Sequence, residues 1–162
     1  MSFENIMSIS GAAMDAQTAR INLAASNVAN ADTVDTTADK AFKAKRAVFE
    51  TVLQDELYRG RTLVAGSVKM SEVAEDQSIN PERYDPSHPL ANEDGYVFGS
   101  NVNMMTEMVD IQAASRSYES SVEASNTAKR LMMRTIEMFQ NQTWLISNEF
   151  TNNRRYQDNR PA

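Results

Sequence analysis

NMMTEMVDIQAASRSYESSVEASNTAKRLMMRTIEMFQ, residues 103–140, contains neither proline nor glycine. Alternating steps of three and four through it pick out Met108, Ile111, Ser115, Tyr118, Val122, Ser125, Lys129, Met132, Ile136 and Phe139. That is the spacing of one helix face, and only Ser115, Ser125 and Lys129 interrupt its apolar character. Asn103 suits the N-cap, Glu107 and Asp110 fall in the first turns, and Lys129, Arg130 and Arg134 lie toward the other end. This charge order complements the helix dipole. Such a helix would be roughly 55 Å long and needs a partner along its length.

The other end of the chain offers one. From Phe3 to Ala31, Met7, Met14, Ile21 and Val28 recur every seven residues, and Ser10, Gln17, Ala24 and Ala31 follow each by three. This is a heptad-like seam with a bulky row and a small or polar row. Alanines fill much of the remaining circumference, and only Glu4, Asp15 and Arg20 are charged. A helix so poor in charge is not solvated all round.

Helix breakers crowd between these two regions. Pro81, Pro86 and Pro89, with Gly60, Gly66, Gly95 and Gly99, all lie in the middle of the chain. Residues 32–100 also hold 13 of the 22 acids and 8 of the 16 bases. Val68–Val73 alternates in part, and Asp94-Gly95 before Tyr96-Val-Phe98 signals a turn leading into a strand. Phe42, Val48, Phe49, Val52 and Leu53 fit a strand or a short helix. The expected fold is therefore mainly α with a small β insert: long N- and C-terminal helices form an antiparallel coiled coil around a central β-rich, loop-containing domain. The boundaries are 1–31 and 101–140 for the helical part, 32–100 for the insert and 141–162 for a tail. Apolar surface left over on both helices suits neighbouring copies.

Composition narrows the function. A net charge of −6 argues against a nucleic-acid surface, which needs a basic excess, and no polybasic segment suits an anionic membrane. No run approaches 18 apolar residues, so direct membrane insertion is not expected. Met1-Ser-Phe-Glu-Asn-Ile-Met7 lacks the basic and apolar regions of a cleavable signal. The chain has no cysteine, hence no disulfide, thiolate metal site or Cys nucleophile.

Catalytic motifs are weak throughout. His88, the single histidine, sits between Ser87 and Pro89 and reads as a loop residue. Asp32, Asp35 and Asp39 lack the glycine and terminal glutamate of an EF-hand loop. Glu72, Glu75 and Asp76 form a surface cluster rather than two carboxylates facing a cleft. Gly60 and Gly66 are isolated and build no phosphate loop. The expectation is a protein that is not an enzyme and carries no cofactor or metal.

Three stretches resemble a known family. Asn22-Leu-Ala-Ala-Ser-Asn-Val-Ala-Asn-Ala-Asp-Thr33 resembles the Asn-Leu-Ala-Asn-x-x-Thr signature of flagellar axial proteins (rod, hook and hook-associated). Tyr84-Asp-Pro-Ser-His-Pro89, Gly95-Tyr-Val97 and Asn101-Val102 are similar to the central region of its proximal-rod members. Glu107-Met-Val109, Ala114-Ser-Arg-Ser-Tyr-Glu119 and Asn126-Thr-Ala-Lys129 are similar to their C-terminal helix. The similarity covers about residues 1–140.

That resemblance implies a structural subunit of the flagellar basal-body rod, a tubular drive shaft that transmits torque and encloses the export channel. It implies partners among copies of itself, other rod and basal-body proteins and the flagellar type III export apparatus. It also implies a periplasmic location reached without a cleavable signal peptide. Carried over by position, Asn27, Asn30 and Thr33 fall in the axial signature, and Arg116, Tyr118 and Asn126 in the C-terminal motif. The expected assembly interface is Met7, Met14, Ile21, Val28, Met108, Ile111, Tyr118, Val122, Met132, Ile136 and Phe139.

The chain departs from the family at Ser100, where a proline is usual, and in its tail. Residues 141–162 carry Trp144, Phe150 and Tyr156 among asparagines and arginines. They fit either a disordered tail or one or two further helical turns in which Trp144, Leu145, Ile146 and Phe150 dock on a neighbour. The rival function is a soluble helical-hairpin adaptor or chaperone that binds a single partner, with a wall hydrolase third.

Overall fold

The computed structural model describes residues 3–58 and 61–158, with side chains in 3–52 and 66–140. The chain begins with helix α1, Phe3–Ala29, and finishes with helix α2, Met104–Asp158. Five strands lie between them: β1 Val34–Asp35, β2 Lys45–Tyr58, β3 Arg61–Glu75, β4 Glu82–Tyr84 and β5 Tyr96–Gly99.

Side chains near each helix end explain where it stops. At the end of α1, Asn30 Nδ2 donates to Ser26 O at 2.8 Å and Thr33 Oγ1 donates to Asn30 O at 2.7 Å. The backbone N–H groups of Asn30, Ala31 and Thr33 donate back three residues in successive turns. The Asn27-x-x-Asn30-x-x-Thr33 spacing thus closes carbonyls that the helix end leaves open. Asn103 caps α2, its Oδ1 accepting from Thr106 N at 3.2 Å as N-cap residues do.

The centre holds two antiparallel sheets. β1, β5 and β4 form one in that order, and β2 and β3 form a two-stranded ribbon with an irregularity at Val48/Phe49. With strands of 14 and 15 residues, the ribbon spans roughly 45 Å. An isolated hairpin is marginal in water, and this one rests on α1 near its base, where Ala47 and Phe49 line a cleft with Arg20, Leu23 and Ala24.

The helices lie antiparallel. Asn27 near the end of α1 reaches Glu107 near the start of α2, while Met7 Sδ accepts from Ser125 Oγ at 3.2 Å. They do not form the expected coiled coil. The buried line on α1 contains Ser10, Ala16, Ala24 and Asn27, and on α2 it contains Glu107, Ala114 and Ala128. The contact therefore runs along the small-residue row, one position away from the bulky stripe on α2. Met7, Met108, Tyr118, Met132, Ile136 and Phe139 are exposed, and Met14, Ile21, Val28, Ile111 and Val122 are half-buried. Small side chains let the backbones approach, and bulky ones on that face would hold them apart. The central region contains two antiparallel sheets, one of them a ribbon of long strands.

Helix α2 continues through Asp158, whereas the sequence there fits either a disordered tail or one or two added helical turns. Docking by Trp144, Leu145, Ile146 and Phe150 concerns side chains outside those described. None of Lys129–Gln140 is buried.

The turn before β5 requires glycine. Gly95 has φ +82°, and a Cβ there would meet the Tyr84 ring at 2.9 Å, where Tyr84 stacks edge-on against Tyr96 with centroids 5.2 Å apart. Gly95→Ala is expected to destabilise the chain by about 1–2 kcal/mol from the backbone alone. Urea unfolding of the purified variant measures it, and an unchanged midpoint would refute the account.

Candidate functional site

The short segment Phe42–Lys45 joins the small sheet to the ribbon, and its backbone polar groups need partners. Three asparagines from three different places supply most of them. Asn27, on α1, accepts from Lys45 N through Oδ1 and donates through Nδ2 to Lys45 O, both at 2.9 Å. Asn80 Nδ2 donates to Phe42 O at 3.0 Å and to Gly99 O at 2.8 Å. Asn101 Oδ1 accepts from Ala44 N at 2.7 Å, and its Nδ2 donates to Asp76 O and Ser78 O at 3.1 Å each. Two backbone groups add to these: Asp76 N donates to Ala44 O at 2.8 Å, and Asn101 N donates to Phe42 O at 3.4 Å.

An amide side chain carries one donor group and one acceptor, as a peptide group does. Asn27 pairs with Lys45 in the manner of a neighbouring strand, although it belongs to a helix. The end of α1, the approach to α2, the base of the ribbon and the small sheet therefore meet at one point.

A buried charge sits beside this point. Glu107 is 0% exposed, its Oε2 accepting from Asn27 Nδ2 at 3.1 Å. Arg46, at the base of the ribbon, bridges to Glu107 Oε1 at 2.8 Å and to Asp110 Oδ2 at 3.2 Å. The contact to Oε1 is off the hydrogen-bond direction, and that oxygen has no other donor. The short distance still makes it an ion pair, because coulombic attraction does not depend on alignment. Arg46 is half open to solvent, so water shares in solvating its charge. The groups in the adjoining cleft of about 280 Å³ are committed to one another, an arrangement that fixes geometry.

The axial-signature residues Asn27, Asn30 and Thr33 come together around the end of α1. Arg116, Tyr118 and Asn126 lie exposed along α2, away from this junction. Sequence reasoning missed Arg46 and Asn80 and placed Glu107 as a dipole-favouring residue and in a family-like stretch, without a role in the junction. A glutamate within Met104-Met-Thr-Glu-Met-Val109 was the available signal. His88 Nδ1 accepts from Leu90 N at 3.1 Å within its own loop. Among the described residues no group of histidines and acids could hold a metal ion, and no helix is long and apolar enough to cross a membrane.

Comparison with known proteins gives this architecture a family. Residues 93–138 match the family model described as flagellar basal body rod FlgEFG protein C-terminal. The flagellar basal-body rod protein FlgC of Salmonella typhimurium is 39% identical over 140 residues, covering 86% of this chain and 100% of its own. FlgC of Buchnera aphidicola from Acyrthosiphon pisum is 41% identical over 138 residues, covering 84% of this chain and 97% of its own. FlgC of Bacillus subtilis is 33% identical over 146 residues, covering 82% and 95%.

The chain belongs to the FlgC family. It is a structural subunit of the flagellar basal-body rod, and the asparagine junction is the feature that joins the helices to the sheets in this FlgC chain. The match to the Salmonella relative covers 140 of the 162 residues, so 22 lie outside it.

Two expected outcomes test the junction. Asn27→Ala leaves Lys45 N–H, Lys45 C=O and Glu107 short of partners and is expected to destabilise the chain by about 2–4 kcal/mol. Arg46→Met strands the Glu107 carboxylate and is expected to cost about 2–3 kcal/mol, below the full value for a broken buried pair because Arg46 is half exposed. Arg46→Met with Glu107→Leu should recover much of that loss in the same denaturation series. A double variant as unstable as the sum of the singles would remove the pairing argument.

Asp76 gives a separate pH signature. Hydrogen bonds from the Ser78 backbone and side chain hold its carboxyl below the ordinary carboxylate value. Its contribution is complete above that ordinary value and is lost as pH falls through the lowered one. Asp76→Asn should flatten that acidic limb of a stability–pH profile, and an identical limb in the variant would refute the assignment.

Proposed function

We propose that this rod subunit assembles through the bulky apolar rows that its own helix pairing leaves outside. Met7, Met14, Ile21 and Val28 on α1, with Met108, Ile111, Tyr118, Val122, Met132, Ile136 and Phe139 on α2, form the interface with copies of itself and other basal-body proteins. Residues 1–31 and 101–140 make an inner layer around the export channel, 32–100 an outer layer against adjacent subunits, and 141–162 a tail extension. The chain passes through the flagellar type III apparatus to a periplasmic position, carries no catalytic step and transmits torque as part of the shaft. It binds no nucleic acid.

The observation that carries this reading is the division of labour on the helices: small residues inside, bulky apolar residues outside. A helical hairpin serving one partner would need one narrow face, whereas here Leu131, Met132, Met133, Ile136 and Met138 are all exposed and spread over more than half of the helix circumference, with Arg130, Arg134 and Glu137 on the remaining side. An apolar arc wider than one face has room for more than one neighbour. Each contact is weak, and many copies side by side hold each one in place.

Met132→Asp with Ile136→Asp is expected to lower recovery of the chain in purified basal bodies by on the order of tenfold or more and to abolish motility. The unfolding of the isolated chain should not change, since both residues are exposed in it. Normal incorporation of this variant would overturn the interface. Circular dichroism gives a second check: helicity should rise on assembly, because an unpartnered helix end has little to stabilise it.

A further inference from the structure

Three of the ten methionines crowd the first two turns of α2. Met104, Met105 and Met108 line one open cleft of about 700 Å³, walled on its apolar side by Ile79, Pro81 and Val102. Met105 is 71% exposed, Met108 48% and Met104 37%, so solvent reaches all three side chains. Met108 stands four residues after Met104 and three after Met105. Those two spacings make neighbours on a helix, with Cβ atoms about 5–6 Å apart. An unbranched side chain with three rotatable bonds lets each sulfur turn toward a shared point. The other described methionines lack this arrangement: Met7 and Met14 lie seven apart, Met70 stands alone on β3, Met132 and Met133 are adjacent, and Met138 follows Met133 by five.

The chemistry of the cleft is narrow. Thioether sulfur is a soft, uncharged donor that suits Cu(I), whereas carboxylates suit harder ions. The chain has no cysteine, so no thiolate of its own competes. Glu107 falls between these methionines in sequence but is buried against Asn27 and Arg46. Asn101 and Asn103, also in the cleft lining, are bonded to the backbone of the junction and of α2. The positive end of the helix dipole opposes any cation in proportion to its charge, so it bears twice as hard on a divalent ion. Donor type and charge therefore select the same ion, one that is soft and monovalent.

We propose that Met104, Met105 and Met108 form a three-sulfur site for a soft monovalent cation, Cu(I) or its analogue Ag(I). The ion is bound without change of oxidation state, and it ties the first turn of α2 to the second. Binding to the folded chain then stabilises it by mass action. The site lies outside the rod reading and does not depend on it.

Calorimetric titration of the purified full-length chain tests this, with Ag(I) in chloride-free, thiol-free buffer and with Cu(I) under anaerobic conditions. One tightly held ion per chain and a raised thermal midpoint are expected. Met104→Leu, Met105→Leu and Met108→Leu together keep the apolar bulk and should weaken binding by on the order of tenfold or more. Met133→Leu with Met138→Leu should leave it unchanged. X-ray absorption at the bound copper should show sulfur neighbours. Equal affinity in the triple variant, or only nitrogen and oxygen around the copper, would overturn the site. Where the triple variant does not fold, Met105→Leu alone decides, since it alters the most exposed of the three: a several-fold loss of affinity is expected, and no loss overturns the proposal.

Discussion

Four residues of backbone where the chain enters the ribbon set the geometry of this molecule. Phe42–Ala44 lies outside the strands and Lys45 begins β2, so most of these N–H and C=O groups lack the ladder that a continuing strand would give them. Asn27, Asn80 and Asn101 answer that need from a helix, a loop and the approach to a second helix. Each unmade bond at such a buried position would cost about as much as several exposed interactions gain. The elements therefore converge because their polar groups have no cheaper arrangement. Glu107 and Arg46 add a charge pair at the same point, tying the ribbon to α2.

The helices meet under a different constraint. Their shared face is built from Ser10, Ala16, Ala24, Ala114 and Ala128, which bury little apolar area each and so contribute modestly to stability. The residues that could contribute most, the described methionines and isoleucines and Tyr118, remain at least partly open. A chain built this way is held together mainly at its junction and leaves the bulky apolar rows of its helices at least partly open. The side chains that fix the fold and those that remain exposed are thus largely separate sets.

Much of the fold was legible because periodicity and helix breakers are local signals. The helix start at Asn103, the turn at Gly95 and the strand character of Tyr96–Phe98 all follow from residues within a few positions of one another. The ambiguity at Phe42–Leu53 resolves as strand only because β3 lies beside β2, a long-range fact that no local pattern contains. Heptad spacing predicts a coiled coil closed by its bulky row, whereas the helices meet through small residues. On α1 the small row Ser10, Gln17, Ala24 and Ala31 contains two of the buried residues, Ser10 and Ala24, yet nothing in the sequence says whether small residues face inward or merely fill the outside. Arg46 and Asn80 were illegible for the same reason: a buried pair and a backbone bridge are defined by residues 61 and 38 positions away.

Polar bonds at the junction and apolar contact at the surface have opposite tolerances, and the distinction matters for a part that bears load. Hydrogen bonds at Asn27 and Asn101 weaken steeply with misalignment, so the angle between ribbon and helices has one favoured value. Methionine-rich contact accepts small offsets, because flexible side chains refill the space. A subunit with a stiff internal angle and compliant outer faces passes a twisting force through itself while its contacts adjust to curvature. Reversing the two materials would give a subunit that bends inside before its neighbours feel the load.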